Sequence, residues 1–239
     1  MKGIILAGGN GTRLRPLTLV TSKQLLPIYD QPMIYYPLET LRTAGITDIM
    51  IIVAPDHAGD FLKLLGSGKE FGCKFTYEIQ DEPAGLAQAF LIGENFIGSD
   101  SVTLILGDNI YEDDFSEAIT SFKSGGRVFI KEVSDPQRFG VAEFDDQKRV
   151  ISIEEKPGQP KSNFAVTGLY IYDSTVVKRA KSLVPSQRGE LEITDLNNVY
   201  LKDNQLDVAF VAGQWFDTGT FESLYEAISF VRSKKIKTE

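Results

Sequence analysis

A short apolar run, Gly3-Ile4-Ile5-Leu6-Ala7, breaks directly into Gly8-Gly9-Asn10-Gly11-Thr12-Arg13-Leu14-Arg15-Pro16. The run reads as a buried strand. Glycines at positions 8, 9 and 11 let the backbone turn sharply and leave its N–H groups bare. Such a turn can form an anion-binding concavity, and Arg13 follows it as a guanidinium fork suited to phosphate oxygens. A plain strand-to-helix turn with a surface arginine would use the same glycines. Two named phosphate loops are set aside by the residues themselves. The Walker pattern ends in Gly-Lys-Ser/Thr, where this chain has Gly11-Thr12-Arg13. The dinucleotide fingerprint has a further glycine where Leu14 stands. Lys23, in Lys23-Gln24-Leu25-Leu26-Pro27, adds a second cation soon after. With it, the loop reads as a cradle for a nucleoside triphosphate.

Charge sharpens this reading. The chain has 33 Asp+Glu against 25 Lys+Arg, a net charge of −8. An acidic chain is a poor general binder of nucleic acid, and one that binds a polyphosphate must concentrate its cations locally. Arg13, Arg15, Lys23 and Lys156 are the candidates. The single cysteine, Cys73, excludes an internal disulfide and a cysteine-built zinc site, and fits a reducing compartment. The first apolar run is too short for a signal peptide core, and no run approaches the roughly 20 residues of a membrane span. A soluble, cytoplasmic protein is expected. Its 239 residues suffice for one large domain or two small ones.

The apolar pattern alternates strand and helix through the first half. Strands are expected at Gly3–Ala7, Asp48–Ala54, Phe75–Ile79 and Val102–Leu106. Helices are expected at 33–44, 59–65 and 86–96. This order implies a mostly parallel sheet covered on both faces, with ligands bound outside the carboxyl ends of its strands. The glycine loop and Gly107-Asp108-Asn109 both lie at such ends. The second half is richer in strands, expected at 127–131, 140–144, 150–155, 167–172 and 206–211. Helices are expected at 175–181, 193–202 and 221–234. No stretch has the composition of a linker or a repeat.

Few residues suit chemistry. The only histidine, His57, falls on a loop after the second strand, which gives a Ser-His-Asp triad poor support. Cys73 reads as a buried apolar residue. Asp108 and Asp217 each stand beside a strand end, and magnesium is commonly held by one or two carboxylates plus substrate phosphates; Asp108 would equally serve as a turn cap. Glu154-Glu155-Lys156-Pro157 ends a strand with two acids and a base, a pattern shared with solvated edges. Glu190-Leu191-Glu192-Ile193-Thr194-Asp195 reads as the acidic start of a helix, with a structural role.

Together these segments resemble the sugar-1-phosphate nucleotidylyltransferases. The shared pieces are Ala7-Gly8-Gly9-Asn10-Gly11-Thr12-Arg13-Leu14, Lys23-Gln24-Leu25-Leu26-Pro27, Gly85-Leu86-Ala87-Gln88-Ala89, Leu106-Gly107-Asp108-Asn109 and Arg138-Phe139-Gly140-Val141. Glu154 to Pro157, Thr167-Gly168-Leu169-Tyr170, Gly189 to Asp195 and Trp215-Phe216-Asp217-Thr218-Gly219-Thr220 complete the set, in family order from end to end. The Lys23, Gly85 and Gly189 segments point to the thymidylyl branch.

The resemblance implies a Rossmann-like α/β fold of the nucleotide-diphospho-sugar transferase type. It implies one nucleotidyltransferase domain over 1–239, with a nucleotide-binding part over about 1–125 and a strand-rich sugar-phosphate-binding part over about 126–239. The implied reaction converts dTTP and glucose 1-phosphate into dTDP-glucose and pyrophosphate. Mg²⁺ would be held by Asp108 and Asp217. Arg13 would stabilise the leaving pyrophosphate, Lys23 would contact the triphosphate and Lys156 the sugar phosphate. Gly8, Gly11 and Thr12 would line the triphosphate path, and Gln24, Gln80 and Gly85 would read the base. Asn109, Gly140, Glu155 and Val166 would line the sugar pocket. Relatives are homo-oligomers, and the longer ones carry further helices that contribute a regulatory nucleotide site; a chain ending at Glu239 would lack it. Gln80-Asp81-Glu82-Pro83 and Arg138-Phe139-Gly140 depart from the usual Gln-Pro-x-Pro and Arg-Tyr-Gly. A uridylyltransferase of the same fold and a non-catalytic sugar-nucleotide sensor are the competing readings. The presence of Arg13, Lys23, Asp108 and Asp217 weighs against the sensor.

Overall fold

The structure is a computed structural model describing residues 1–147 and 149–236. It is mixed α/β with a mostly parallel central sheet, and the chain forms two compact units, each assembled from separated segments. The first unit takes Gly3–Glu82, Ile105–Glu117 and the segment from Gly213 onward; the second takes Met1–Lys2, Pro83–Leu104 and Ala118–Ala212.

In the first unit the strand Lys2–Ala7 pairs in parallel with Asp48–Val53, Leu6 opposite Ile52, and Asp48–Val53 pairs in parallel with Lys74–Ile79. Successive side chains point to opposite faces. Residues 4–7 and 49–53 are nonetheless all buried, so both faces of these strands are covered. The continuous Ile and Val runs are the sequence cause. The helix Tyr35–Thr43 falls inside the expected 33–44, and Ala58–Leu65 begins one residue before the expected 59–65; Pro37 lies in the first turn of its helix, where a missing N–H costs little.

Leu14, Leu26, Ile28, Met33 and Ile110 pack with Leu224, Ala227 and Val231 of the last helix, Phe221–Ile236. This cluster anchors the glycine loop. Leu14 is fully buried while its neighbour Arg13 is exposed, so the loop is pinned by its apolar side and offers its cation to solvent. Burying a leucine contributes about 2 kcal/mol.

In the second unit Phe164–Tyr172 pairs antiparallel with Gly126–Glu132, which pairs in parallel with Leu206–Phe210. Gly140–Phe144 pairs antiparallel with Val150–Glu155. The helix Ile193–Lys202 has the expected bounds. The expected helix over 86–96 is two short ones, Gln88–Ile92 and Glu94–Ile97. Gly93, the weakest helix former in the run, leaves helical geometry between them at φ −85° and ψ 9°. Among the described residues no helix is long and apolar enough to cross a membrane.

Candidate active site

The first unit holds most of the expected nucleotide and metal residues. Gln80, just beyond the third parallel strand, is 4 % exposed and folds back onto Gly8. A Cβ on Gly8 would stand 2.2 Å from Gln80 Oε1, so only a glycine permits this approach. Gly11 turns with φ 57° and packs against Thr18 and Lys23, and the Thr18 hydroxyl donates to Gly11 O at 2.8 Å. Thr12 and Arg13 sit in a single 3-10 turn, Thr12–Leu14.

Lys23 is buried, and its ammonium pairs with Asp108 Oδ2. Burial alone would push the Asp108 carboxyl up, but the Lys23 charge beside it, with hydrogen bonds from Lys23 and Asn109, holds it below the usual carboxylate range. The acid is therefore ionised at neutral pH. Gln24 is buried one residue on, its Oε1 accepting from the Ser22 hydroxyl at 2.7 Å and its stem close to Gly107.

A strand pair the sequence reading did not anticipate, Asn109–Tyr111 with Trp215–Asp217, brings the second carboxylate in. Asp217 pairs with Asn109, and Thr218 binds Asp108 O through both its amide, at 3.1 Å, and its hydroxyl, at 2.7 Å. A Cβ on Gly219 would stand 2.6 Å from an Arg13 guanidinium nitrogen and 3.2 Å from Asp217 Oδ1. Arg13 and Asp217 therefore converge on the bare backbone of Gly219. Asn109, expected in the sugar pocket, is buried with its Nδ2 donating to Asp108 Oδ1 at 2.9 Å.

The second unit holds the remaining expected residues. Glu155 is half-buried and accepts from the Thr194 hydroxyl at 2.6 Å. A Cβ on Gly140 would lie 2.9 Å from that hydroxyl and 3.5 Å from Glu155 Oε2. Lys156 is exposed, 3.4 Å from Glu155 Oε1, and held at φ 44° ahead of Pro157. A lysine held in the left-handed region is strained, and such strain gathers at functional sites. Val166 is buried, opposite Ile130 across the strand pair. Gly85 packs on the Leu191 backbone, whose amide donates to Ala84 O at 2.8 Å and whose carbonyl accepts from Ala87 at 3.1 Å.

Thr194, Arg188 and Trp215 went unread as site residues. Arg188 binds both oxygens of Glu192 at 2.9 Å and reaches Glu190 at 3.3 Å and Glu155 at 3.6 Å. The Glu190–Asp195 run keeps its structural role, since Glu192 precedes the helix as its cap residue, and it also supplies Thr194 to Glu155. The signal was a cation beside three acids, Arg188, Glu190, Glu192 and Asp195, ahead of an apolar helix.

His57 lies in the 3-10 turn Pro55–His57, its Nδ1 3.4 Å from Asp60 Oδ2. Cys73 is half-buried rather than buried, because the Gly72–Cys73 turn leads into the exposed Lys74; burial still pushes its thiol up.

Residues 2–234 match the nucleotidyl transferase family. The chain belongs to that family. Similar to it is the glucose-1-phosphate thymidylyltransferase of Neisseria meningitidis, 56% identical over 239 residues, covering 98% of this chain and 83% of the relative. Its counterpart in Mycobacterium tuberculosis strain H37Rv is 53% identical over 238 residues, with 98% and 83% covered. A Bacillus anthracis protein, solved with sucrose and described as a glucose-1-phosphate thymidylyltransferase, superposes with TM-score 0.92 at 51% identity, covering 97% of this chain and 95% of that one. A UDP-glucose pyrophosphorylase solved with UDP-glucose superposes with TM-score 0.85 at 26% identity, with 98% of each chain covered.

A nucleotidyl transferase meets a polyanion, and this family generally needs a divalent metal. Ionised Asp108, and Asp217, which pairs with the next residue Asn109, are hard oxygen donors of the kind such a cation takes once nucleotide phosphates complete the ligand set.

Proposed function

We propose that this nucleotidyl transferase is a glucose-1-phosphate thymidylyltransferase, joining dTTP and glucose 1-phosphate into dTDP-glucose and pyrophosphate. The observation that carries the reading is the convergence of Arg13 and Asp217 on Gly219 in the unit that also buries the Lys23–Asp108 pair. It places two cations and two carboxylates in one unit with no histidine among them. The high identity of the relatives named above supports the choice of substrates.

The chemistry suits these groups. A phosphate oxygen of the sugar phosphate, already ionised, bonds to the α-phosphorus, and the bond from that phosphorus to the α–β bridging oxygen breaks with pyrophosphate leaving. No proton has to be removed, so no general base is needed. The step requires in-line positioning and charge neutralisation. In this reading the Gly8–Thr12 backbone cradles the triphosphate, Lys23 neutralises it and Arg13 stabilises the departing pyrophosphate. Gln24, Gln80 and Gly85 read the base. Lys156 holds the sugar phosphate, with Asn109, Gly140, Glu155 and Val166 lining the sugar pocket. Asp108 and Asp217 would hold Mg²⁺, which supplies Lewis-acid neutralisation and a template when bound.

A uridylyltransferase activity is the second reading, favoured by the likeness to UDP-glucose pyrophosphorylase. An apolar pocket separates substrates by a methyl group with only about 1–3 kcal/mol. We further propose a cytoplasmic site of action, supported by the single cysteine, and a homo-oligomeric state. The deciding experiment is pyrophosphate release with glucose 1-phosphate across dTTP, UTP, CTP, GTP and ATP, with Mg²⁺ and with EDTA. The expected result is release with dTTP that EDTA abolishes. Release mainly with UTP would move the base assignment, and none with any nucleotide would overturn the reading.

A further inference from the structure

The chain has one tryptophan, Trp215, and its indole Nε1 donates to Asn109 Oδ1 at 2.7 Å. The Tyr111 hydroxyl meets the same oxygen at 3.4 Å. An indole N–H can only donate, so the atom it meets must be the amide oxygen. That fixes the other end of the side chain: Asn109 Nδ2 faces Asp108 and donates to Oδ1 at 2.9 Å, while Lys23 takes Oδ2. Reversing the amide would set its NH₂ against the indole N–H and its oxygen against the carboxylate. Asn109 is only 2 % exposed, so little water is at hand to relieve either clash.

We infer that Trp215 is a positioning residue for the metal-binding carboxylate. It locks the Asn109 amide in one orientation, and Asn109 on Oδ1, with Lys23 on Oδ2, gives each Asp108 oxygen a donor before any cation arrives. The indole acts on the carboxylate through Asn109. Partners of this kind orient metal-ligating carboxylates, and their loss costs about 10–100-fold in metal affinity. The inference rests on the reading that Asp108 holds the metal.

The test uses the full chain and Mn²⁺ as the probe, with the free ion counted by electron paramagnetic resonance. Wild type, W215F, N109A, W215F/N109A and D108N are titrated, with circular dichroism melts run beside them. W215F keeps an aromatic ring and loses the donor. It is expected to bind Mn²⁺ about tenfold more weakly while its melting temperature stays near that of wild type. The double variant is expected to bind no more weakly than N109A, because the effect runs through Asn109. If W215F fails to fold, N109A carries the test, with an expected weakening of about tenfold; an unchanged affinity overturns the relay. W215F binding like wild type while D108N loses the ion overturns the relay and leaves the metal assignment standing. Additive losses in the double variant overturn the route through Asn109. D108N binding like wild type overturns both the relay and the metal assignment beneath it.

Discussion

Lys23 and Asp108, 85 residues apart in sequence, form an ion pair with side chains only 10 % and 14 % exposed. The pair sets a negative charge beside a positive one in the free chain, where the proposed reaction would use both. Asp108→Asn tests it. The amide keeps an acceptor for Lys23 but removes the charge. We expect kcat to fall about a thousandfold or more, with a stability loss of about 1–3 kcal/mol and an unchanged far-UV spectrum. Turnover near the wild-type rate in saturating Mg²⁺ would remove Asp108 from the metal site.

Gly219 is the close-approach point for Arg13 and Asp217, and alanine there would put a methyl 2.6 Å from the guanidinium. Arg13 is exposed and flexible, so it would swing away rather than unfold the loop, whose anchor is the buried Leu14. Displacing a positioned cation by about 1 Å can cost about a hundredfold. We therefore expect Gly219→Ala to lower kcat about a hundredfold while the melting temperature stays near that of wild type. A large fall in melting temperature with kcat preserved would make the glycine structural.

His57 tests the absence of a general base. Its ring faces the exposed Asp60 carboxylate at 3.4 Å, and nothing in the proposed chemistry needs it. His57→Ala is expected to change kcat/KM less than about threefold and stability by no more than about 0.5 kcal/mol. A rate loss of several orders of magnitude would show that proton transfer had been missed.

The sequence revealed the strands Lys2–Ala7 and Asp48–Val53 because each carries a continuous apolar run buried on both faces, a local signal. It did not reveal the pairing of Asn109–Tyr111 with Trp215–Asp217. Each strand has only three residues, and Trp215 and Asn109 are 106 positions apart, so no periodicity joins them. The site follows the same division. Gly8, Arg13, Lys23, Asp108 and Asp217 could be named from local motifs and the family resemblance. Their partners depend on long-range packing: Gln80 on Gly8, Arg13 on Gly219, and Thr194 on Glu155 across 39 positions. The 86–96 segment shows the reverse case, where an apolar pattern of helical period masked the local weakness at Gly93.

Thr194 is buried, and its hydroxyl donates to Glu155 at 2.6 Å beside Gly140. Thr194→Val keeps the shape and removes the donor, which frees the Glu155 carboxylate to rotate. In the proposed reaction Glu155 lines the sugar pocket, so KM for glucose 1-phosphate is expected to rise about tenfold, equivalent to about 1.4 kcal/mol. KM for dTTP is expected to stay unchanged. Equal changes in both would take Glu155 out of the sugar pocket.

Asp173 in the second unit joins three elements. Its Oδ2 accepts from the Gly125 amide at 2.7 Å, and its Oδ1 accepts from the Thr175 amide at 3.0 Å and the Tyr200 hydroxyl at 3.2 Å. Burial raises its carboxyl, but the donors from Thr175, Gly125 and Tyr200 outweigh burial and hold it below the usual range. The unfolded chain therefore takes up a proton at Asp173 before the folded one does as pH falls. The stabilisation is complete above the unfolded value near 3.9 and drains away as pH falls through the folded value. Asp173→Asn removes the charge and one acceptor. At pH 7 it is expected to lower unfolding free energy in urea by about 1–3 kcal/mol. From about pH 5 toward pH 3 the gap between wild type and variant should narrow, because in wild type alone the unfolded chain gains a proton at Asp173 that the folded chain does not yet bind. A gap that stays constant from pH 7 to pH 3 would show that amide geometry, not carboxylate charge, ties these elements together.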